Sequence, residues 1–175
     1  REIVAGRKGN YLVFFPSYQY LEAVETVFRH REEAGEPPGF ALMIQEGSMD
    51  EAAREEFLSA FERQQEESMA AFCVLGGIFS EGIDLTEERL IGEISVGTGR
   101  PQMSAGQGVR REYVDQQEGH GIAYAYQYPG MNKVLQAAGR VIRTVSDRGI
   151  IALLDDRFLR EDYLALFPRE WDRYT

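Results

Sequence analysis

Apolar positions along the chain follow two rhythms. Tyr11-Leu12-Val13-Phe14-Phe15 is an unbroken apolar run of strand length, stopped by Pro16-Ser17. Leu21, Val24, Val27 and Phe28 then recur at three- and four-residue spacing, which predicts a helix that ends at Gly35-Glu36-Pro37-Pro38. Phe40 to Ile44 predicts a second strand. Asp50 to Glu67 predicts a second helix, with Ala53, Phe57, Ala60 and Phe61 inward and its glutamates outward. Ala70 to Leu75 predicts a third strand, Arg89 to Val96 a fourth, and Gly149 to Leu154 a last one, closed by Asp155 and Asp156. Strands that are apolar throughout, separated by amphipathic helices, imply an α/β fold whose parallel sheet is covered on both faces. In such folds ligands collect at the carboxyl ends of the strands. Residues 97–121, with four glycines between 97 and 108 and then a charged segment, fit neither rhythm and predict a surface insertion.

Three segments carry candidate chemistry. Pro16-Ser17-Tyr18 follows the first strand. A hydroxyl with backbone amides at a strand-to-helix junction can hold a phosphate oxygen, and it can equally be a plain helix cap. Gly76-Gly77-Ile78-Phe79-Ser80-Glu81-Gly82-Ile83-Asp84-Leu85 follows the third strand. Its glycines permit close backbone approach, and Ser80, Glu81 and Asp84 bring polar atoms, so a ligand loop and a structural turn both fit. The third segment is a helix predicted to start near Met131, on which Gln136, Arg140 and Arg143 fall at i, i+4 and i+7 along one stripe. Val134, Leu135, Ala138, Val141 and Ile142 around them are apolar, so most of that helix is expected to be buried. Two arginines emerging from a buried helix need anionic partners. Those partners are either a ligand or the chain's own Asp147, Asp155 and Asp156.

Two further signals carry little. Gly97-Thr98-Gly99-Arg100-Pro101-Gln102 opens like a dinucleotide fingerprint, but Gln stands where the last Gly belongs, so it reads as a loop. Cys73 lies inside an apolar strand and reads as core. No G-x-x-x-x-G-K-[ST] segment occurs, so the chain lacks a phosphate-cradling loop of its own.

Composition narrows the classes. At 175 residues and 43% hydrophobic content, the chain suits one domain, 1–175, with its own core, and low-complexity disorder is ruled out. No apolar run approaches the ~20 residues of a membrane span, and Arg1 to Gly9 is not a signal peptide. One cysteine and two histidines leave no internal disulfide and no cysteine/histidine zinc site, so no metal is expected in this chain and a cytoplasmic setting is the default. A start at Arg1 rather than Met is expected of a fragment of something longer. The net charge of −10 argues against a general polyanion-binding surface. It is unevenly spread: residues 1–88 carry 18 acidic against 7 basic residues, and residues 89–175 carry 11 against 12. Only Lys8 and Lys133 are lysines; the rest of the basic set is arginine, which suits planar contacts to phosphate or carboxylate.

In order, the three segments resemble the second motor domain of a superfamily 2 helicase of the XPD/DinG family. Phe14 to Glu22 resembles that family's motif IV and Gly76 to Leu85 its motif V. Gln136-Ala137-Ala138-Gly139-Arg140-Val141-Ile142-Arg143 resembles motif VI, with Asp147, Gly149, Asp155 and Arg157-Phe158 downstream. The resemblance covers roughly residues 10–160. It implies a RecA-like, P-loop-NTPase-type three-layer sandwich with a mainly parallel sheet, lacking the P-loop itself. It also implies that the domain works against an N-terminal motor domain of the same protein. That partner carries the nucleotide-binding loop, the magnesium-binding acidic motif and, in this family, usually an iron–sulfur cluster. ATP with Mg2+ would lie in the cleft between the two.

By the family pattern, Arg140 and Arg143 reach the γ-phosphate as arginine fingers and Gln136 orients in the same cleft. Gly82 and Asp84 sense nucleotide from motif V, while Ser17, Tyr18 and Ser80 touch the backbone of single-stranded DNA. One departure stands out. The family's Leu-Pro-Phe-like or Val-Pro-Tyr-like segment after the fourth strand is replaced by Ile94-Ser95-Val96-Gly97-Thr98, so no DNA contacts are assigned to residues 95–120. Two other classes stay open on the sequence. One is a stand-alone, non-catalytic regulatory or nucleic-acid-binding module derived from this fold. The other is an unrelated enzyme using Ser80 or Asp84.

Overall fold

The computed structural model describes residues 1–62, 67–81, 90–99, 126–142 and 146–171. Its strands are β1 (Asn10–Phe15), β2 (Ala41–Ile44), β3 (Met69–Val74), β4 (Gly92–Val96) and β5 (Ile150–Leu154). They form one sheet in the order β2-β3-β1-β4-β5, and every neighbouring pair is parallel. Each predicted apolar run is a strand, so the expected α/β fold with a parallel sheet stands. The expectation of full burial holds only in the middle of the sheet. All six residues of β1 are buried, whereas β2 and β5, at the two edges, are half-buried to exposed, Leu154 to 50%.

Alternation of side chains sends successive residues of each strand to opposite faces. Tyr11, Val13 and Phe15 of β1 join Ala70, Phe72 and Ile94 on one face. There they meet Val4 of helix α1 (Glu2–Gly6) and Leu21, Val24 and Phe28 of α2 (Tyr18–Glu33). Leu12, Phe14, Met69, Ala71 and Cys73 point the other way. They pack against Phe57 of α3 (Glu51–Ser59), Phe79 of α4 (Ile78–Glu81) and Met131, Val134 and Ala137 of α5 (Tyr128–Ala138). Phe158 and Tyr163, from the 3₁₀ turn Asp156–Leu159 and helix α6 (Glu161–Leu164), complete that second core. The result is three layers.

Two helices differ from expectation. α3 stops at Ser59, and Phe61 and Glu62 donate to Leu58 and Ser59 in tighter i→i−3 turns; residues 63–66 lie outside the described residues. α5 starts earlier, at Tyr128, and ends at Ala138 with Gly139 as its C-cap. Arg140 N–H and Val141 N–H then bond the carbonyls of Ala137 and Ala138, again i→i−3. Of the expected stripe, Gln136 is on the helix, Arg140 is in the turn beyond it, and Arg143 lies outside the described residues. Gly139 keeps right-handed helical backbone (φ −64°, ψ −5°) and donates to the Leu135 carbonyl at 2.9 Å, so the chain tightens only beyond it.

The register of β4 against β1 depends on Gly92. A Cβ there would sit 2.4 Å from Tyr11 Cδ1, a ring that is fully buried and whose hydroxyl donates to the Arg7 carbonyl at 2.6 Å. Gly92→Ala is expected to cost about 1–3 kcal/mol by overpacking, read as a fall in melting temperature. An unchanged melting temperature would show that Tyr11 can move aside. Among the described residues, no helix is long and apolar enough to cross a membrane.

Candidate functional site

Because all five strands are parallel, their carboxyl ends share one edge of the sheet. Ser17 leaves β1 in extended backbone (φ −161°, ψ 160°), and its Oγ accepts from the Tyr20 N–H at 3.2 Å. The helix-cap reading is therefore realised. It leaves the hydroxyl a donor and a second acceptor site, since a serine oxygen has two lone pairs and one proton. Tyr18, the first residue of α2, places its hydroxyl 2.7 Å from Gln45 Nε2, and Gln45 Oε1 accepts from the Val74 N–H at 2.8 Å. Burial raises the Tyr18 phenol above its ordinary value, and the neighbouring Cys73 raises it further. Burial also pushes the Cys73 thiol up, which fits the core role expected of it.

β3 then turns at Gly76 (φ +78°), a conformation glycine adopts at least cost. A Cβ at Gly76 would lie 2.6 Å from Lys133 Nζ, so the missing side chain lets an α5 ammonium lie over this turn. The backbone of Ser80 follows in α4 at the same edge. Gly97 and Gly99 also adopt positive φ, and Gly97-Thr98-Gly99 is irregular, in keeping with the loop read from the sequence; residues 100–102 lie outside the described residues. Sequence reasoning missed Gln45 and Lys133. Only the strand-end position of Gln45 and the scarcity of lysine hinted at them.

The other predicted residues lie elsewhere. A Cβ on Gly99 would lie 2.9 Å from the Gly130 carbonyl, and one on Gly149 would lie 2.1 Å from Val141 Cγ1. α5 therefore runs from the carboxyl edge, at Gly130, back to the amino edge, where Val141 meets the residue before β5. At 1.5 Å per residue its length is roughly 16 Å. Gln136 is exposed in its last turn and Arg140 is half-buried just past it. Gly82, Asp84 and Arg143 lie outside the described residues. Asp155 is committed at the carboxyl end of β5: its carboxylate receives Arg157 Nε at 2.7 Å and Nη2 at 2.6 Å, and this hydrogen bonding holds its pKa below the ordinary value. The structure thus brings Ser17, Tyr18 and the backbone of Ser80 to one edge, and places Gln136 and Arg140 at the other.

One buried polar cluster went unread. Ile94 of β4 faces α2, so Glu93 and Ser95 face α5. Glu93 is fully buried, Ser95 Oγ donates to its Oε1 at 2.5 Å, and burial lifts the carboxyl to about 8. Glu93 Oε2 and Thr98 Oγ1 have no hydrogen-bond partner among the described residues.

Against known proteins, the sequence pattern described as the helicase C-terminal domain matches residues 1–174. The chain belongs to the helicase C-terminal domain family. The helicase domain is 27% identical over 170 residues to the ATP-dependent DNA helicase CHL1 of Debaryomyces hansenii, covering 89% of this chain and 21% of that protein. It is 29% identical over 175 residues to the human regulator of telomere elongation helicase 1, covering 93% and 14%. It thus spans about a fifth or less of these relatives' length. A solved structure of apo XPD superposes with a TM-score of 0.72 at 21% identity, over 94% of the helicase domain and 32% of that chain. A second XPD helicase structure gives 0.71 at 22%. These likenesses establish the RecA-like fold and bear out the XPD-type resemblance read from the three motifs.

Proposed function

We propose that this helicase C-terminal domain is the second motor half of an ATP-dependent DNA helicase and works against an N-terminal motor domain of the same protein. Residues 1–175 would be one domain of that longer chain. What supports the reading most is the family match across residues 1–174 together with the separation of Ser17 and Tyr18, at one end of α5, from Gln136 and Arg140 at the other. The strand-end group, Ser17, Tyr18 and Ser80, would grip the backbone of single-stranded DNA. Gly82, Asp84, Gln136, Arg140 and Arg143 would face ATP held by the partner, with Arg140 and Arg143 stabilising charge on the γ-phosphate. α5 packs on α4 and on β4, so closure on nucleotide at one end can change the DNA grip at the other.

The described residues offer no group of three or more His, Cys, Asp and Glu to hold a metal, and the single cysteine, Cys73, is buried in β3. Magnesium and any iron–sulfur cluster would therefore belong to the partner domain and to ATP itself. No step here is assigned to them.

The test begins with the isolated chain. Purified 1–175 is expected to show no ATP turnover above background, because it has no phosphate-cradling loop. Measurable turnover that follows the purified protein would overturn the reading of half a motor. Fusion to a partner motor domain that carries the loop is expected to restore DNA-stimulated hydrolysis.

A further inference from the structure

Gln45 leaves β2 at the carboxyl edge of the sheet and is only 2% exposed. Its backbone N–H continues the ladder to the Phe72 carbonyl at 2.8 Å. The side-chain amide faces two groups. One is the Val74 N–H, which can only donate, so the amide oxygen must face it, at 2.8 Å. The amide nitrogen must then face Tyr18, 2.7 Å from the phenol oxygen. The Tyr18 oxygen is thereby an acceptor towards the interior, and its own proton is directed outward. On that side the hydroxyl donates to the Glu46 carbonyl at 3.4 Å, a long contact for a hydroxyl. Val74 also closes the next turn, since its carbonyl accepts from the Gly77 N–H at 3.0 Å. A Cβ on Gly77 would press to 3.2 Å from Gln45 Nε2.

We infer that Gln45 is a positioning residue for the nucleic-acid grip: it fixes the Tyr18 hydroxyl as a donor to a phosphate oxygen and ties it to the strand end that opens the Gly76-Gly77 turn. This rests on the reading that Tyr18 meets the DNA backbone. Phosphate oxygens only accept, so a phenol that presents its proton binds them, and one whose proton is consumed internally does not. Such a contact carries no base sequence, as a translocating grip requires.

Gln45→Glu separates polarity from packing. An ionised carboxylate has the shape of the amide but donates nothing. It would accept from Val74 N–H and also from the Tyr18 hydroxyl, drawing the proton inward. Protonation of the carboxyl would restore a donor facing the phenol oxygen. The titratable and charged groups around this position are Tyr18 and Cys73, both raised by burial, Glu46 next in the chain, and Lys133 above Gly76.

The experiment measures binding of a fluorescein-labelled oligothymidine to the full chain by anisotropy, without ATP. Gln45→Glu is expected to bind about tenfold more weakly near pH 8, matching Tyr18→Phe, and to regain most of the loss near pH 5.5 relative to wild type at the same pH. Gln45→Met, of similar volume, should be weak at both pH values. Affinity at the wild-type level for Gln45→Glu near pH 8, or a loss that does not recover at low pH, would overturn the proposal while Tyr18→Phe remains weak. Tyr18→Phe binding as wild type would instead overturn the reading that Tyr18 grips DNA, and the role of Gln45 with it.

Discussion

Arg143→Ala is expected to cut ATP hydrolysis by about 10³ or more in a chain that joins this domain to its partner motor domain. The magnitude follows from what an arginine finger does. The γ-phosphoryl group gains charge on its outer oxygens as it transfers, and a guanidinium held at that point in a water-poor cleft stabilises the transition state more than the bound nucleotide. Removal should therefore lower kcat with little change in KM. Arg143→Lys is not expected to rescue it, because an ammonium cannot reproduce the planar two-donor fork. Arg140→Ala should behave similarly, with some added loss of stability because Arg140 is half-buried at the end of α5. Melting temperature and single-stranded DNA binding report whether each variant is folded. A folded Arg143→Ala protein with near-normal ATPase would sink the assignment.

The second large effect concerns stability rather than chemistry. Burial holds the Glu93 carboxyl protonated until about pH 8, against an ordinary value of 4.5. The folded chain thus keeps a proton that the unfolded chain releases above pH 4.5. Stability is greatest below that value and falls as pH rises towards 8, by at most about 1.4 kcal/mol per pH unit. Glu93→Gln keeps an acceptor for Ser95 Oγ and has nothing to ionise. It is expected to be about 2–4 kcal/mol more stable than the parent chain at pH 8 and nearly equal to it at pH 4.5. In thermal melts the gain is roughly 5–15 °C at the higher pH. A variant destabilised equally at both pH values would mean that the carboxyl is ionised and paired in the folded chain.

Much of the architecture was legible in the chain. Unbroken apolar runs such as Tyr11 to Phe15 identified the strands, because a strand buried on both faces cannot alternate. The helix starts were readable where a capping side chain stands, as at Ser17 and Asp50, whose Oδ1 accepts from the Ala53 N–H at 2.8 Å. Helix ends were harder. α5 ends with Gly139 as its C-cap, one residue before Arg140, yet the apolar spacing of Val141 and Ile142 reads on as though the helix continued. Ile142 is in fact 42% exposed.

The site was legible in part. Motif order and family were carried by local strings of residues, and the match over residues 1–174 agrees with them. Gln45 and Glu93 were not readable, because each draws its role from neighbours distant in sequence. Gln45 acts between Tyr18 and Val74, 27 and 29 residues away. Glu93 has no local signal of its own, and its burial follows only from β1 and β5 on either side, where it pairs with Leu12 and Ile151.

By itself, then, the sequence determined which segments become strands and helices, the parallel α/β class and the helicase family, since all of these depend on periodicity and short motifs that a single segment contains. Only the tertiary structure decided which strands are edges, that Ser17 and Tyr18 sit at one end of α5 and Gln136 and Arg140 at the other, and which polar side chains are sealed from water. Those depend on strand order and packing, and a residue's solvent, partners and proton affinity are set by what the fold brings against it.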